Sequence, residues 1–235
     1  MLAQMCRACE TDSVRAGTEG LRSGVHLGMQ DRYLYLARHG EATPDENELT
    51  SAGRRQAELL GKRLHGVPLT AVHHGPLPRA AQTARLVGEQ VGAVPLRESR
   101  AAGDYVPYVP ERDELPSEFA NAIVARFASV TAEERASGAE LARQALRDFT
   151  GPVDEGDTPR HELVVTHAFL IAWLVRAAMD APAWRWTGLN HGNAALTVIR
   201  YAPDRPASVL VLNDMSHLPE DLRWTGFPRP FRTPC

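Results

Sequence analysis

From Tyr33 to Leu212 the chain alternates short apolar runs with helical patterns, and this alternation is the tightest constraint on its fold. Tyr33–Ala37 reads as a buried strand. Thr50-Ser51-Ala52-Gly53 then offers a helix start, and Ala57, Leu59, Leu60 and Leu64 follow at helical spacing to about His65. Leu69–His73 is a second strand, closed by the turn Gly75-Pro76-Leu77-Pro78. Pro78 suits the first turn of a helix running to about Val91. Val94–Leu96 is a third strand, and Ala101–Pro116, rich in proline and acid, an irregular excursion. Helices are expected over 117–129 and 131–149, the second an amphipathic covering helix. A fourth strand, Glu162–Thr166, precedes a helix over Phe169–Met179, and Leu196–Tyr201 and Val209–Leu212 are the last strands. Strands separated by helices imply a single-domain α/β fold, with a mostly parallel six-stranded sheet flanked by helices on both faces.

Composition narrows the function classes. The 235 residues are 43% hydrophobic and 23% charged, with a net charge of -3, as in ordinary globular proteins. A general nucleic-acid binder would be clearly basic, so no nucleic acid is expected as partner. No apolar run approaches the roughly 20 residues that span a bilayer, so no membrane partner is expected either. Residues 1–28 lack both hydrophobic periodicity and the apolar core of a signal peptide. They are expected to be a disordered extension, with Met29 at the edge of the patterned chain. Cys6-Arg7-Ala8-Cys9 has redox or metal spacing, but a lone pair of this kind reads as incidental. Cys235 is the third cysteine, and their absence from the patterned region fits a cytoplasmic location.

In a parallel sheet, ligands bind beyond the carboxyl ends of the strands. Arg38-His39-Gly40 follows the first strand; His74-Gly75 follows the second, with Arg79 on the helix behind it. Glu98 follows the third strand and His167 the fourth. These strand ends can deliver two histidines, two arginines and a carboxylate to one crevice. Guanidinium forks match phosphate oxygens, and a neutral imidazole can attack phosphorus and carry the phosphoryl group. No His, Cys and Asp cluster shows metal spacing, and neither GxxxxGK[ST] nor GxGxxG is present, so neither metal nor cofactor is expected.

Five segments carry a family resemblance: LARHGEA (36–42), LTSAGRRQA (49–57), GPLPRAAQTA (75–84), LRES (96–99) and VVTHAFL (164–170). In this order and spacing the chain resembles the histidine phosphatase superfamily, also called phosphoglycerate-mutase-like, over about residues 31–213; the domain is expected to be 29–235. The resemblance implies that His39 becomes a phosphohistidine, with Arg38, Arg79 and His167 around the phosphoryl oxygens. It implies that Gly40 keeps the nucleophile loop close to the phosphate, with Thr43 and the Ala168 backbone adding hydrogen bonds. Glu98 would be the proton donor, with Asp104 as second candidate. His191 is read as a structural loop residue ahead of a pocket-lining one, and the Asn213–His217 turn fits rim lining and turn chemistry equally. The implied activity is metal-independent hydrolysis of a small-molecule phosphomonoester. Phosphoglycerate-mutase-type transfer and protein dephosphorylation are alternatives, as is a phosphate-binding module with lost catalysis. Mutases of the family carry tryptophan and asparagine shortly after RHGE, where this chain has Thr43-Pro44-Asp45. The oligomeric state has no readable signal.

Overall fold

The computed structural model describes residues 28–153 and 158–227. The extension expected over 1–28 lies outside the described residues except for Gly28, and all three cysteines lie outside them. Six strands form one mixed, mostly parallel sheet: β1 (Arg32–Arg38), β2 (Leu69–His74), β3 (Leu96–Glu98), β4 (Arg160–Thr166), β5 (Leu196–Ala202) and β6 (Arg205–Asp214). Their order is β3-β2-β4-β1-β5-β6. β1, β2, β3 and β4 run parallel, while β5 is antiparallel to both β1 and β6. The helices are α1 (Ser51–Arg63), α2 (Pro78–Val91), α3 (Ser117–Arg126), α4 (Ala132–Phe149) and α5 (Ala168–Ala178).

The alternation of β1 divides the core. Leu34 and Leu36 face a cluster with Ala142, Ala145 and Phe149 of α4 and Leu170, Ile171 and Leu174 of α5. Tyr35 and Ala37 face the other side, with Leu60 of α1 and Ala80, Ala84 and Val87 of α2. Period-two alternation in a central strand requires helices on both faces. α1 begins where Thr50 accepts the Gly53 N–H at 3.0 Å, a cap contributing about 1 kcal/mol. α5 is apolar all round, with Leu170 to Val175 buried, because Trp186 and its 3-10 segment Ala183–Gly188 cover its outer side. No helix among the described residues is long and apolar enough to cross a membrane.

Among the differences from the sequence expectation, β3 and β6 are displaced most and α3 ends at Arg126, three residues early. β3 starts at Leu96 instead of Val94, because the Pro95 carbonyl accepts from Val72 but its ring nitrogen cannot donate. β6 is longer, from Arg205 to Asp214, because an edge strand tolerates Pro206. The irregular excursion after Ala101 is pinned at three points. Tyr105 donates to the Ala101 carbonyl (2.8 Å), Trp186 donates to the Tyr108 carbonyl (3.0 Å), and Gly138 of α4 lies against Val106. A Cβ at Gly138 would fall 2.2 Å from the Val106 oxygen.

At the opposite end of the sheet from Arg38, Arg32 of β1 meets Glu162 of β4 at 3.5 Å, and His73 meets the same carboxylate at 3.3 Å. Burial pushes the Glu162 carboxyl up, but the His73 hydrogen bond and the Arg32 charge outweigh it and hold the group below the usual range. Glu162→Ala strands the buried Arg32 charge. Equilibrium urea unfolding is expected to show a loss of about 3–5 kcal/mol; a loss below about 1 kcal/mol would remove the network from the fold's stability.

Candidate active site

β1 and β4 are parallel neighbours, with Arg38 opposite Thr166. Past their carboxyl ends the chain turns to opposite faces, to α1 and to α5. That divergence opens a crevice in an α/β sheet. His39 continues β1 by one residue, donating its backbone N–H to Thr166 at 2.9 Å. His167 continues β4 and opens α5, and Arg79 lies in the first turn of α2. No side chain caps either helix, so both N-termini meet the crevice with their positive ends unneutralised.

The side chains converge tightly. The His39 and His167 ring centroids are 5.0 Å apart. The His39 Nδ1 lies 2.7 Å from the Gly40 carbonyl oxygen, which only accepts, so the proton sits on Nδ1. Nε2 is then the bare nitrogen, and Arg79 Nε donates to it at 3.3 Å. His39, Arg79 and His167 are 6%, 4% and 2% exposed. Burial, then the charge of Arg38, holds the His39 imidazole well below its ordinary range. Burial, with Arg79 and Arg38, takes His167 down to about 3. Both rings are therefore neutral at neutral pH. Arg38 donates to the His191 carbonyl at 3.0 Å, and burial lowers its guanidinium to about 10, so it stays charged.

Loop contacts fix this geometry. A Cβ on Gly40 would fall 2.4 Å from the Gly53 oxygen, and one on Gly53 2.0 Å from the Glu41 oxygen. The two glycines let the loop after His39 and α1 touch backbone to backbone. Thr83 accepts the Gly40 N–H at 3.0 Å and donates to the Arg79 carbonyl at 2.7 Å, coupling loop and arginine. Asn193 donates to the His39 carbonyl at 2.9 Å. The buried Gln56 accepts from the Glu41 backbone and donates to Leu222 and Thr225, each at 2.8 Å.

The structure thus brings together Arg38, His39, Arg79 and His167, with Gly40 and the first residue of α5, Ala168, beside them. It does not bring in Thr43, whose hydroxyl donates to Asp45 (2.6 Å) and closes its own loop. Glu98 ends β3 exposed, in register with His74, and no contact among the described residues joins it to the cluster. Asp104 is in place: its Oδ2 lies 2.7 Å from an Arg79 nitrogen and 3.4 Å from His167 Nδ1. Glu46 also reaches Arg79, at 3.3 Å. His191 is fully buried, its carbonyl holds Arg38, and burial with Arg38 takes its ring to about 3. Asn213 accepts the Gly192 N–H at 2.9 Å, bracing the same loop. Thr83 stands one turn beyond Arg79 on the same helix face, a spacing visible in the sequence; Gln56 is not singled out by the sequence. Asn193 and Glu46 carry no local signal. Among the described residues no group of three or more His, Cys, Asp or Glu could hold a metal ion.

Residues 34–214 match the histidine phosphatase superfamily, branch 1, and the chain belongs to that family. It is 29% identical over 197 residues to the mitochondrial serine/threonine-protein phosphatase Pgam5 of Caenorhabditis briggsae, covering 80% of this chain and 64% of that one. The chain thus spans less than two thirds of that relative. Among solved structures, YhfR of Bacillus stearothermophilus superposes with a TM-score of 0.59 at 26% identity, over 79% of this chain and 98% of that one. A mycobacterial glucosyl-3-phosphoglycerate phosphatase gives 0.56 at 26% identity, over 77% and 98%.

Proposed function

We propose that the protein hydrolyses a phosphomonoester through a phosphohistidine on His39. The observation that carries this is the fixed tautomer: Gly40 holds the proton on Nδ1, and the bare Nε2 faces Arg79. In the first step Nε2 bonds to phosphorus as the bond to the ester oxygen breaks. A carboxylic acid gives that oxygen its proton, and the alcohol leaves. In the second step a water oxygen bonds to phosphorus, the P–N bond breaks, and the carboxylate takes the water's proton. Arg38, Arg79 and the N–H groups opening α5 face the negative charge on the equatorial oxygens. The neutral His167 ring has one N–H to offer an oxygen. Geometry supports Asp104 as the proton carrier, since it is the carboxylate beside both Arg79 and His167; Glu98 holds the family's motif position.

The similarity to Pgam5 supports a second reading, in which the ester sits on a phosphoprotein. Both share the covalent intermediate, and phosphoenzyme trapping tests it. Protein mixed with 32P-labelled phosphomonoester and quenched in alkali is expected to retain label in the wild type and none in His39→Ala. Equal label in both would assign the nucleophile to another residue. No label and no turnover across a panel of esters would leave a phosphate-binding module.

A further inference from the structure

Asp104 meets Arg79 and His167 and is also one of the residues lining a cavity of about 400 Å³, within the size range of small-molecule sites. The cavity lies between the excursion and the start of α4. Val106, Val130 and Leu141 give it apolar wall, and Ser129 and Ser137 give it hydroxyls. Its second carboxylate is Glu134. That side chain accepts from the Thr131 N–H and hydroxyl at 2.8 and 2.9 Å, so its charge is anchored at the helix start. Contact between Gly138 and Val106 sets the distance between the walls. No lysine or arginine is among the lining residues. Arg135, next in sequence to Glu134, is turned to Glu111 at 3.6 Å. The guanidinium that Asp104 does meet, Arg79, belongs to the phosphoryl site.

A leaving alcohol must extend from phosphorus past the group that protonates it, and Asp104 borders this cavity. We propose that the cavity receives the alcohol portion of the substrate, and that it selects alcohols free of negative charge that carry hydroxyl or ammonium donors. This deepens the phosphatase reading and rests on it. A carboxylated alcohol would enter between Asp104 and Glu134 with no cation to meet it, whereas an ammonium or hydroxyl finds acceptors. Both carboxylates are open to solvent, where repulsion between unit charges a few ångströms apart corresponds to roughly 5-fold in rate.

The test compares kcat/KM for glycerol 3-phosphate and 3-phosphoglycerate, which differ by a hydroxymethyl against a carboxylate, with phosphoethanolamine as the cationic probe. Glycerol 3-phosphate and phosphoethanolamine are expected to exceed phosphoglycerate by roughly 5-fold. Glu134→Gln, which keeps the side chain's reach, and Ser137→Arg, which adds a cation on an exposed turn of α4, are expected to narrow that ratio. Equal or better use of phosphoglycerate by the wild type would overturn the proposal, as would a ratio unmoved by both variants. Absence of turnover with every ester, p-nitrophenyl phosphate included, together with no phosphoenzyme, would overturn the phosphatase reading itself and this inference with it.

Discussion

Turnover of any phosphomonoester is expected to fall by roughly 10⁴–10⁶-fold in His39→Ala, the range seen when a covalent nucleophile is removed. Arg79→Ala is expected to cost roughly 10²–10³-fold, as for one preorganised donor to a developing anion. Arg79 points two ways, since its Nε meets His39 Nε2 while its other nitrogens meet Asp104 and Glu46. Lysine is a single-point cation and cannot hold both directions, so Arg79→Lys is expected to recover only part of the loss. The proton carrier separates by leaving group. Asp104→Asn is expected to slow alkyl phosphates by roughly 10²–10⁴-fold, and p-nitrophenyl phosphate far less, because nitrophenolate leaves without a proton. If that pattern appears in Glu98→Gln and is absent in Asp104→Asn, the donor is the residue at the end of β3. Steady-state kinetics on both ester classes decide it.

Stability is expected to fall steeply as pH drops below 6.5. Among the described residues three histidines are buried neutral: His39, His167 and His191. In the unfolded chain each titrates near 6.5. A depressed folded pKa means that the unfolded state binds more protons, so stability is complete above the unfolded pKa and is lost as pH falls through it. For His167 and His191 the loss continues down to about 3. Once protonation of the unfolded state is saturated, each group contributes about 1.4 kcal/mol per pH unit, hence roughly 4 kcal/mol per unit for three. A domain with about 5–15 kcal/mol in hand then unfolds within one to four units or so. Urea titrations at pH 7, 6, 5.5 and 5 check this, and His191→Asn is expected to flatten the slope by one proton. A free energy unchanged between pH 6.5 and 5 would mean that these rings protonate without unfolding.

Much of the framework was legible in the sequence because periodicity reports burial directly. β1, β2, β4 and α2 begin or end within a residue or two of their patterns, since each is bounded by a strong local signal such as Pro78. The convergence of Arg38, His39, Arg79 and His167 was legible because all four sit at strand or helix ends that a parallel sheet gathers on one edge. Side-chain direction was less legible. Thr43 and Glu98 occupy the expected positions along the chain. The Thr43 hydroxyl is taken by Asp45, and Glu98 lies exposed on a three-residue edge strand. Asp104 reaches the cluster from an irregular segment with no period to read. Asn193 and Gln56 act through partners distant in sequence, so no window of the chain displays their role.

The Gln56 amide joins positions 169 apart when it bonds Thr225. Through Thr225 and Asn193 that bond reaches the carbonyl of His39. The loop that carries His39 is therefore synthesised well before the segment that secures it. At about 5–20 residues per second, synthesis leaves His39 waiting on the order of ten seconds or longer for Thr225. For most of that interval β1 lacks at least one neighbour, since β4 is complete only at Thr166 and β5 only at Ala202, and His39 stands without its brace. A chain that stops before Thr225 would carry the RHG sequence without that brace.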